Sequence, residues 1–138
     1  MKSLLFVCNQ NAVRSPMAEA LARQMAAPGL HVASVGLVPG MLDPFSVAVM
    51  REAGIDIADH APRALNRVDL ADFDRVVALT DGALGAMQRA LGPDSGKLLH
   101  WPIPDPGADD GSRAQLLAAY RSVRDQLKRR IAALLAEA

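Results

Sequence analysis

The sequence has a single cysteine and no excess of charge of either sign. Cys8 is the only thiol among 138 residues, which excludes an internal disulfide and any metal site built from several thiolates. Lysine plus arginine number 15, as do aspartate plus glutamate, so no overall field points to nucleic acid or to an anionic membrane as a partner. A site for an anion would therefore have to be built locally.

Long apolar runs are also missing. The apolar stretch at residues 4–7 is too short for the core of a secretory signal or for a membrane span. Together with the lone free thiol, this predicts a cytoplasmic protein. The histidines His31, His60 and His100 are spread along the chain without the spacing of metal ligands, and there is no glycine-rich nucleotide motif. We therefore expect neither a metal ion nor a cofactor.

Strand and helix patterns alternate along the chain. A short continuous apolar run over Lys2–Cys8, followed by the turn-like Asn-Gln-Asn, predicts a buried first strand. Further strands are predicted at Leu30–Val35, Phe73–Leu79 and Lys97–Trp101, and helices from Pro16, over Pro44–Glu52, from Asp81 to about Leu91, and from Ser112 onward. This order predicts a single three-layer α/β domain over residues 1–138 with a mostly parallel sheet. Ligands bind such sheets at the carboxyl ends of the strands, where Cys8 lies.

The loop between the first strand and the first helix carries the clearest chemical pattern. Five residues separate Cys8 from Arg14, and Ser15-Pro16 is typical of a helix start, with a hydroxyl as N-cap and proline at the first helical position. So short a loop can turn successive backbone N–H groups toward one point, beside the positive end of the helix dipole. Arg14 can add a planar fork for two oxygens of a tetrahedral anion. Cys8 would then lie under the anion as a thiolate nucleophile.

The same residues have a simpler interpretation, in which Cys8 is a small buried hydrophobe and the loop an ordinary turn. The coincidence of strand, spacing, arginine, hydroxyl, proline and helix favours the chemical interpretation. A proton donor would have to come from elsewhere, and the loop from Pro102 to Gly111 offers three aspartates. Composition does not choose among these, which are Asp105, Asp109 and Asp110.

The stretch from Phe6 to Ala20, Phe-Val-Cys-Asn-Gln-Asn-Ala-Val-Arg-Ser-Pro-Met-Ala-Glu-Ala, resembles the N-terminal signature of the low molecular weight protein tyrosine phosphatases. Thioredoxin-linked arsenate reductases share that fold and the Cys-x5-Arg-Ser loop. Later segments match the family in the same order, at Ser34–Gly36, Gly54–Asp56, His60–Arg63, Phe73–Val77 and Pro104–Pro106. The resemblance implies a flavodoxin-like α/β/α domain with a four-stranded parallel sheet.

The resemblance also implies roles for individual residues. Cys8 would attack phosphorus and form a phosphocysteine, Arg14 would bind and stabilise the phosphoryl oxygens, and Asp105 would be the general acid that protonates the leaving group. Substrate would be held by the loop residues Asn9, Gln10, Asn11, Ala12, Val13, Arg14 and Ser15. Supporting hydrogen bonds would come from Asn11, which tolerates a left-handed backbone, and from Ser15 and Ser34.

The main functional prediction is a protein tyrosine phosphatase that hydrolyses phosphomonoesters. Its substrate would carry phosphate or another tetrahedral oxyanion, with phosphotyrosine proteins as candidate partners. Two positions depart from the family pattern. Gln10 stands where the family usually has a glycine, and Gly107-Ala108 stand where the phosphatases often place the aromatic wall of the phosphotyrosine slot.

Two alternatives stay open. The Thr80 region and His100-Trp101 resemble the arsenate reductase branch, and with one thiol such an enzyme would need an external thiol such as glutathione or mycothiol as its reductant. The less favoured alternative is a non-catalytic module that binds oxyanions or phosphopeptides. Such a module would have no use for a thiolate and an acid together.

Overall fold

The sheet has four strands, all parallel, in the order β2-β1-β3-β4. The computed structural model describes residues 1–108 and 111–137. The strands are β1 (Ser3–Cys8), β2 (His31–Gly36), β3 (Arg75–Ala78) and β4 (Leu98–His100), and the helices are α1 (Arg14–Met25), α2 (Pro44–Glu52), α3 (Asp81–Leu91) and α4 (Arg113–Ala136). The predicted α/β fold with a four-stranded parallel sheet is confirmed.

The first strand lies in the middle of the sheet and is buried on both faces. Leu4, Phe6 and Cys8 pack on the side of α1, α2 and α4, whereas Leu5 and Val7 pack on the side of α3. Such burial explains why β1 is a continuous apolar run rather than an alternating one. Because the strand ends at Cys8, its side chain lies at the carboxyl edge of the sheet, next to the start of α1.

Several predicted boundaries differ from the structure, those of β1 and β2 by a single residue at an end. The strand predicted from Phe73 begins at Arg75, because a 3₁₀ turn at Leu70–Asp72 precedes it and its last N–H bond runs from Phe73 to the Leu70 carbonyl. The strand predicted over Lys97–Trp101 is reduced to β4. The helix predicted to start after Ser15 begins at Arg14 instead.

The long C-terminal helix packs as its apolar stripe predicts. Ser112 caps it, accepting from the Gln115 N–H, while the Gln115 side chain accepts from the Ser112 N–H in a reciprocal capping box. The inward stripe is buried against the sheet at Tyr120, Val123, Leu127, Ile131 and Leu134. None of the described helices combines the length and the apolar character that crossing a bilayer needs.

Candidate active site

A cavity of about 170 Å³ opens at the carboxyl end of β1. The residues that line it are Cys8, Asn9, Gln10, Ala12, Val13, Arg14 and Asp105. Helix α1 starts at this cavity without a side-chain cap, so the N–H groups of its first turn have no partner within the helix. Such a helix end attracts an anion through both its free N–H groups and its dipole. The structure thus brings together the predicted nucleophile, arginine and acid.

The loop after β1 is held by the segment 37–43, which we call the strap. Four carbonyl oxygens of the loop accept hydrogen bonds from strap N–H groups at 2.8 to 3.1 Å, the pairs being Cys8 with Leu37, Asn9 with Val38, Gln10 with Gly40, and Ala12 with Asp43. These bonds satisfy the loop carbonyls and fix its curled shape. On the other side, the Asn9 Oδ1 accepts from Thr80 Oγ1 at 2.8 Å, which ties the loop to the start of α3.

Asn11 is the buried centre of the loop, in a left-handed conformation with φ 53°. Its Oδ1 accepts from the Arg63 backbone N–H and from His60 Nε2, both at 2.9 Å. Because a backbone N–H can only donate, this atom must be the oxygen of the amide. The Asn11 Nδ2 therefore donates, to Ser15 Oγ at 2.8 Å and to Ser34 Oγ at 2.9 Å.

The donor and acceptor roles in this network can be followed as far as the Cys8 sulfur. The Ser34 hydroxyl donates its hydrogen to Glu19 Oε1, at 3.0 Å. The Ser15 hydroxyl already accepts from Asn11, so its own hydrogen is available to Cys8 Sγ, 2.7 Å away. The Asn11 backbone N–H donates to the same sulfur at 3.3 Å. Two donors, the Ser15 hydroxyl and the Asn11 backbone N–H, are thus directed at the Cys8 sulfur.

Ser15 is therefore not the helix cap that the sequence pattern predicts. Val13 occupies the N-cap position, and the Ser15 side chain is fully buried between Cys8 and Asn11. A hydroxyl suits both positions, so the residue type alone does not distinguish them. The geometry fits the supporting role that the family resemblance implies for Ser15 and for Ser34.

Arg14 connects the cavity to the loop that carries the acid. Its Nη1 donates to the Ile103 carbonyl at 3.0 Å, and its buried Nε has no hydrogen-bond partner among the described residues. A buried N–H without a partner costs free energy, and an oxyanion in the cavity can supply the acceptor. One edge of the guanidinium is thus held by protein while the other can bind a ligand.

Asp105 is exposed at the cavity, with its Oδ1 accepting from the Gly107 N–H at 2.9 Å. A Cβ on Gly107 would lie 3.2 Å from the Tyr120 hydroxyl, which donates to Asp43 Oδ2 at 2.6 Å. Burial and the Asp43 carboxylate raise the pKa of Tyr120, so its hydroxyl stays a donor. The other two candidate acids, Asp109 and Asp110, lie outside the described residues.

Sequence reasoning assigned no role to a buried polar group behind the loop. Glu19 is 6% exposed and faces three cations or potential cations, Arg23 at 3.2 Å, Arg63 at 3.4 Å and His60 at 3.8 Å. The signal that could have revealed it is its position four residues after Ser15, on the same face of α1. Glu19 accepts the hydrogen of Ser34, so Ser34 accepts from Asn11, in agreement with the direction that the Arg63 N–H imposes on the Asn11 amide. No group of three or more metal-binding side chains is formed by the described residues.

Replacing Asn11 tests how much the network contributes to folding. Asn11→Ala removes four side-chain hydrogen bonds but keeps a Cβ on a backbone with positive φ. We therefore expect a loss of about 3 kcal/mol in the free energy of unfolding. Asn11→Gly is the matched control, because glycine adopts this backbone freely and should cost about 1 kcal/mol less. Urea titrations of both variants measure the difference. Equal losses would show that the left-handed backbone is not strained.

His60 makes stability depend on pH. Burial lowers the pKa of this side chain below its ordinary value of 6.5, against the opposing attraction of Glu19. As pH falls below 6.5, the unfolded chain takes up a proton that the folded chain does not, so the free energy of unfolding decreases until pH passes through the folded pKa. His60→Gln should remove this part of the decrease, as measured by urea titrations at neutral and mildly acidic pH. Parallel pH curves for the two proteins would contradict the assignment.

Several known proteins are similar to this chain in sequence and in fold. A family model described as low molecular weight phosphotyrosine protein phosphatase matches residues 3–138. The glutaredoxin arsenate reductase of Synechocystis sp. is 32% identical over 137 residues, which cover 99% of this chain and 98% of that protein. The solved structure of an arsenate reductase in the phosphate binding state has a TM-score of 0.79 and 29% identity, covering 99% and 98% of the two chains. The YwlE arginine phosphatase from Geobacillus stearothermophilus has a TM-score of 0.83 and 26% identity, covering 99% and 92%.

Proposed function

Because the chain belongs to the low molecular weight phosphotyrosine protein phosphatase family, we propose that Cys8 attacks a tetrahedral oxyanion, and that the reaction is the reduction of arsenate by an external thiol. The observation that carries this proposal is the lining of the cavity. Its seven residues include the chain's only thiol, an arginine and a carboxylic acid, but no aromatic ring. A volume of about 170 Å³ suits a small inorganic oxyanion better than an aryl ester.

In the first step, the Cys8 thiolate forms a bond to arsenic and displaces one oxygen. The displaced oxygen leaves as water after taking up protons, and Asp105 is the acid of the cavity that can donate one. Arg14 and the free N–H groups at the start of α1 stabilise the charge on the remaining oxygens. The product of this step is a covalent adduct between the Cys8 sulfur and arsenic in its pentavalent state.

In the second step, an external thiol attacks the Cys8 sulfur. The bond between sulfur and arsenic breaks, its electron pair goes to arsenic, and trivalent arsenite leaves. Cys8 is then joined to the external thiol in a mixed disulfide, which a second thiol attacks to release free Cys8 and an external disulfide. Overall, one arsenate and two thiols give arsenite, one disulfide and water. The name of the Synechocystis relative, a glutaredoxin arsenate reductase, supports a reductant from outside the chain.

Phosphomonoester hydrolysis is the second candidate, favoured by the presence of Asp105 in the same cavity as Cys8. A phosphocysteine would form in the same way, Asp105 would protonate the leaving alkoxide or aryloxide, and water would release phosphate. The arginine phosphatase among the similar structures supports phosphatase chemistry at this site. If this chain is a phosphatase, its candidate substrate is a phosphotyrosine protein. Against an aryl substrate stands the cavity lining, which offers no ring to pack on a tyrosine side chain.

A side-by-side assay decides between the two activities. Arsenite formation is measured with glutathione, with mycothiol and with a glutaredoxin plus glutathione, and hydrolysis is measured with 4-nitrophenyl phosphate. We expect arsenite only when thiol and wild-type enzyme are both present. No arsenite with any reductant, together with phosphate release that depends on Cys8, would instead establish the phosphatase. Turnover in either assay above that of Cys8→Ser would rule out the non-catalytic binding module.

A further inference from the structure

Gln10 places a long polar side chain at the edge of the cavity, and neither proposed activity requires it. The residue is exposed and lines the cavity together with Cys8 and Arg14. Among the described residues other than glycine, only Asn11 has a positive φ, so Gln10 keeps a backbone conformation that any side chain can adopt. The loop thus accepts a side chain here without backbone strain.

Two glycines make room for Gln10. A Cβ on Gly36 would lie 2.6 Å from the Gln10 carbonyl carbon and 2.5 Å from the Asn11 nitrogen, so only glycine fits beneath this peptide. A Cβ on Gly40 would lie 2.8 Å from Gln10 Oε1 and 2.9 Å from Gln10 Cβ. The Gln10 side chain therefore lies along the bare backbone of Gly40, whose N–H donates to the Gln10 carbonyl at 2.8 Å.

The geometry of displacement determines what meets this side chain. A nucleophile attacks on the side opposite the leaving group, so the leaving group on a bound anion points away from the sulfur of Cys8. Cys8 is 2% exposed, whereas Gln10 and Asp105 are exposed, so the outward direction leads past these two residues. A free oxyanion has only an oxygen there, while an ester has a carbon substituent that must leave the cavity past these exposed residues.

We propose that Gln10, lying on Gly40 at the cavity mouth, is a specificity-determining residue that selects free tetrahedral oxyanions over their esters. This role rests on the proposed function, because it separates arsenate from phosphomonoesters at one site. The Gln10 carboxamide has no hydrogen-bond partner among the described residues, so its N–H groups can donate to the outer oxygen of a free anion. Because Gln10 lines the cavity, the substituent of a bound ester would have to share the mouth with this side chain, whereas a free anion has no substituent there.

Binding measurements test the selection directly. Inorganic phosphate and phenylphosphonate, which carries a ring that cannot be hydrolysed off, are titrated calorimetrically into the wild-type protein and into Gln10→Ala. We expect the ratio of the phenylphosphonate Kd to the phosphate Kd to fall about tenfold in Gln10→Ala, because the ring gains space and phosphate loses a donor. An unchanged ratio, or a ratio that rises, would overturn the proposal.

A second pair of variants tests whether Gln10 lies on Gly40. Gly40→Ala should lower the Tm of the wild-type protein, because the new methyl group collides with the Gln10 Cβ and carboxamide. In a Gln10→Gly background the same substitution should lower the Tm much less. Equal losses in the two backgrounds would show that the Gln10 side chain lies elsewhere, and the selection would lose its structural basis.

The binding ratio uses neither a reductant nor turnover, so it is independent of the assay for the proposed function. If wild-type enzyme makes no arsenite but the ratio falls in Gln10→Ala, the reductase proposal fails and the role of Gln10 in anion selection stands. If arsenite forms and the ratio does not change, the reductase proposal stands and Gln10 is not the selecting residue.

Discussion

Cys8→Ser is expected to abolish arsenite formation and to lower 4-nitrophenyl phosphate hydrolysis by at least about a thousandfold. A serine hydroxyl is a much weaker nucleophile than a thiolate. The two hydrogen-bond donors that face the sulfur in the wild-type protein do not change this for a hydroxyl. Serine also cannot form the mixed disulfide through which an external thiol would reduce the enzyme. Initial rates with saturating oxyanion and thiol measure the loss.

The control for this variant is its fold and its affinity for the anion. The substitution is small, and the loop is held by the strap and by Asn11, so the Tm and the Kd for inorganic phosphate should remain close to those of the wild type. Retention of either activity at a rate near that of the wild type would exclude Cys8 as the nucleophile.

Arg14→Lys is expected to lower the turnover number by about 10² to 10³-fold and to weaken phosphate binding as well. Lysine keeps the positive charge but not the planar fork, so it cannot hold the Ile103 carbonyl with one nitrogen and present others to two oxygens of the anion. Turnover and the phosphate Kd, measured on the same preparation, separate the loss of binding from the loss of transition-state stabilisation.

Arg51→Lys is the matched control, since Arg51 is an exposed arginine on α2 that does not line the cavity. Its rate should equal that of the wild type. An Arg14→Lys enzyme with normal turnover would mean that charge alone is sufficient at this position, and that the bidentate geometry contributes nothing.

The fold could be predicted because each strand and helix has a recognisable local pattern in the sequence. The buried run of β1 has no alternation, since helices cover both faces, and the stripe of α4 repeats every three or four residues. Boundaries were less predictable where a tertiary contact decides them. The hydroxyl of Ser15 fits a helix cap equally well, and only the position of the buried sulfur shows that it serves Cys8 instead.

The site was predictable in part for the same reason. Cys8, Arg14 and Ser15 lie in one short loop, whereas Asp105 was chosen from three aspartates only through a family resemblance. For Glu19 the sequence offers only its position four residues after Ser15, because the groups that it contacts come from distant parts of the chain and converge only in the fold. The position of the Gln10 side chain depends likewise on Gly40, thirty positions away. Because Gly40 has no side chain, Gln10 can lie against its backbone.

The reaction itself is harder to read from residue types. Phosphate and arsenate are both tetrahedral anions, so the same loop, arginine and acid suit either. The sequence favours a tyrosine phosphatase first and an arsenate reductase second, but the named relatives support the reductase at least as well. What separates the two activities is the fate of the Cys8 adduct, which water attacks in one case and a thiol in the other.

The most direct measurement is therefore the mass of the protein during turnover. The enzyme is mixed with arsenate and a limiting amount of glutathione, quenched with acid, and analysed intact and after digestion. We predict one glutathionyl group per chain, located on Cys8 and formed only when arsenate is present. Arsenite release with no modification of Cys8, or the same modification without arsenate, would contradict a thiol-dependent reaction at this cysteine.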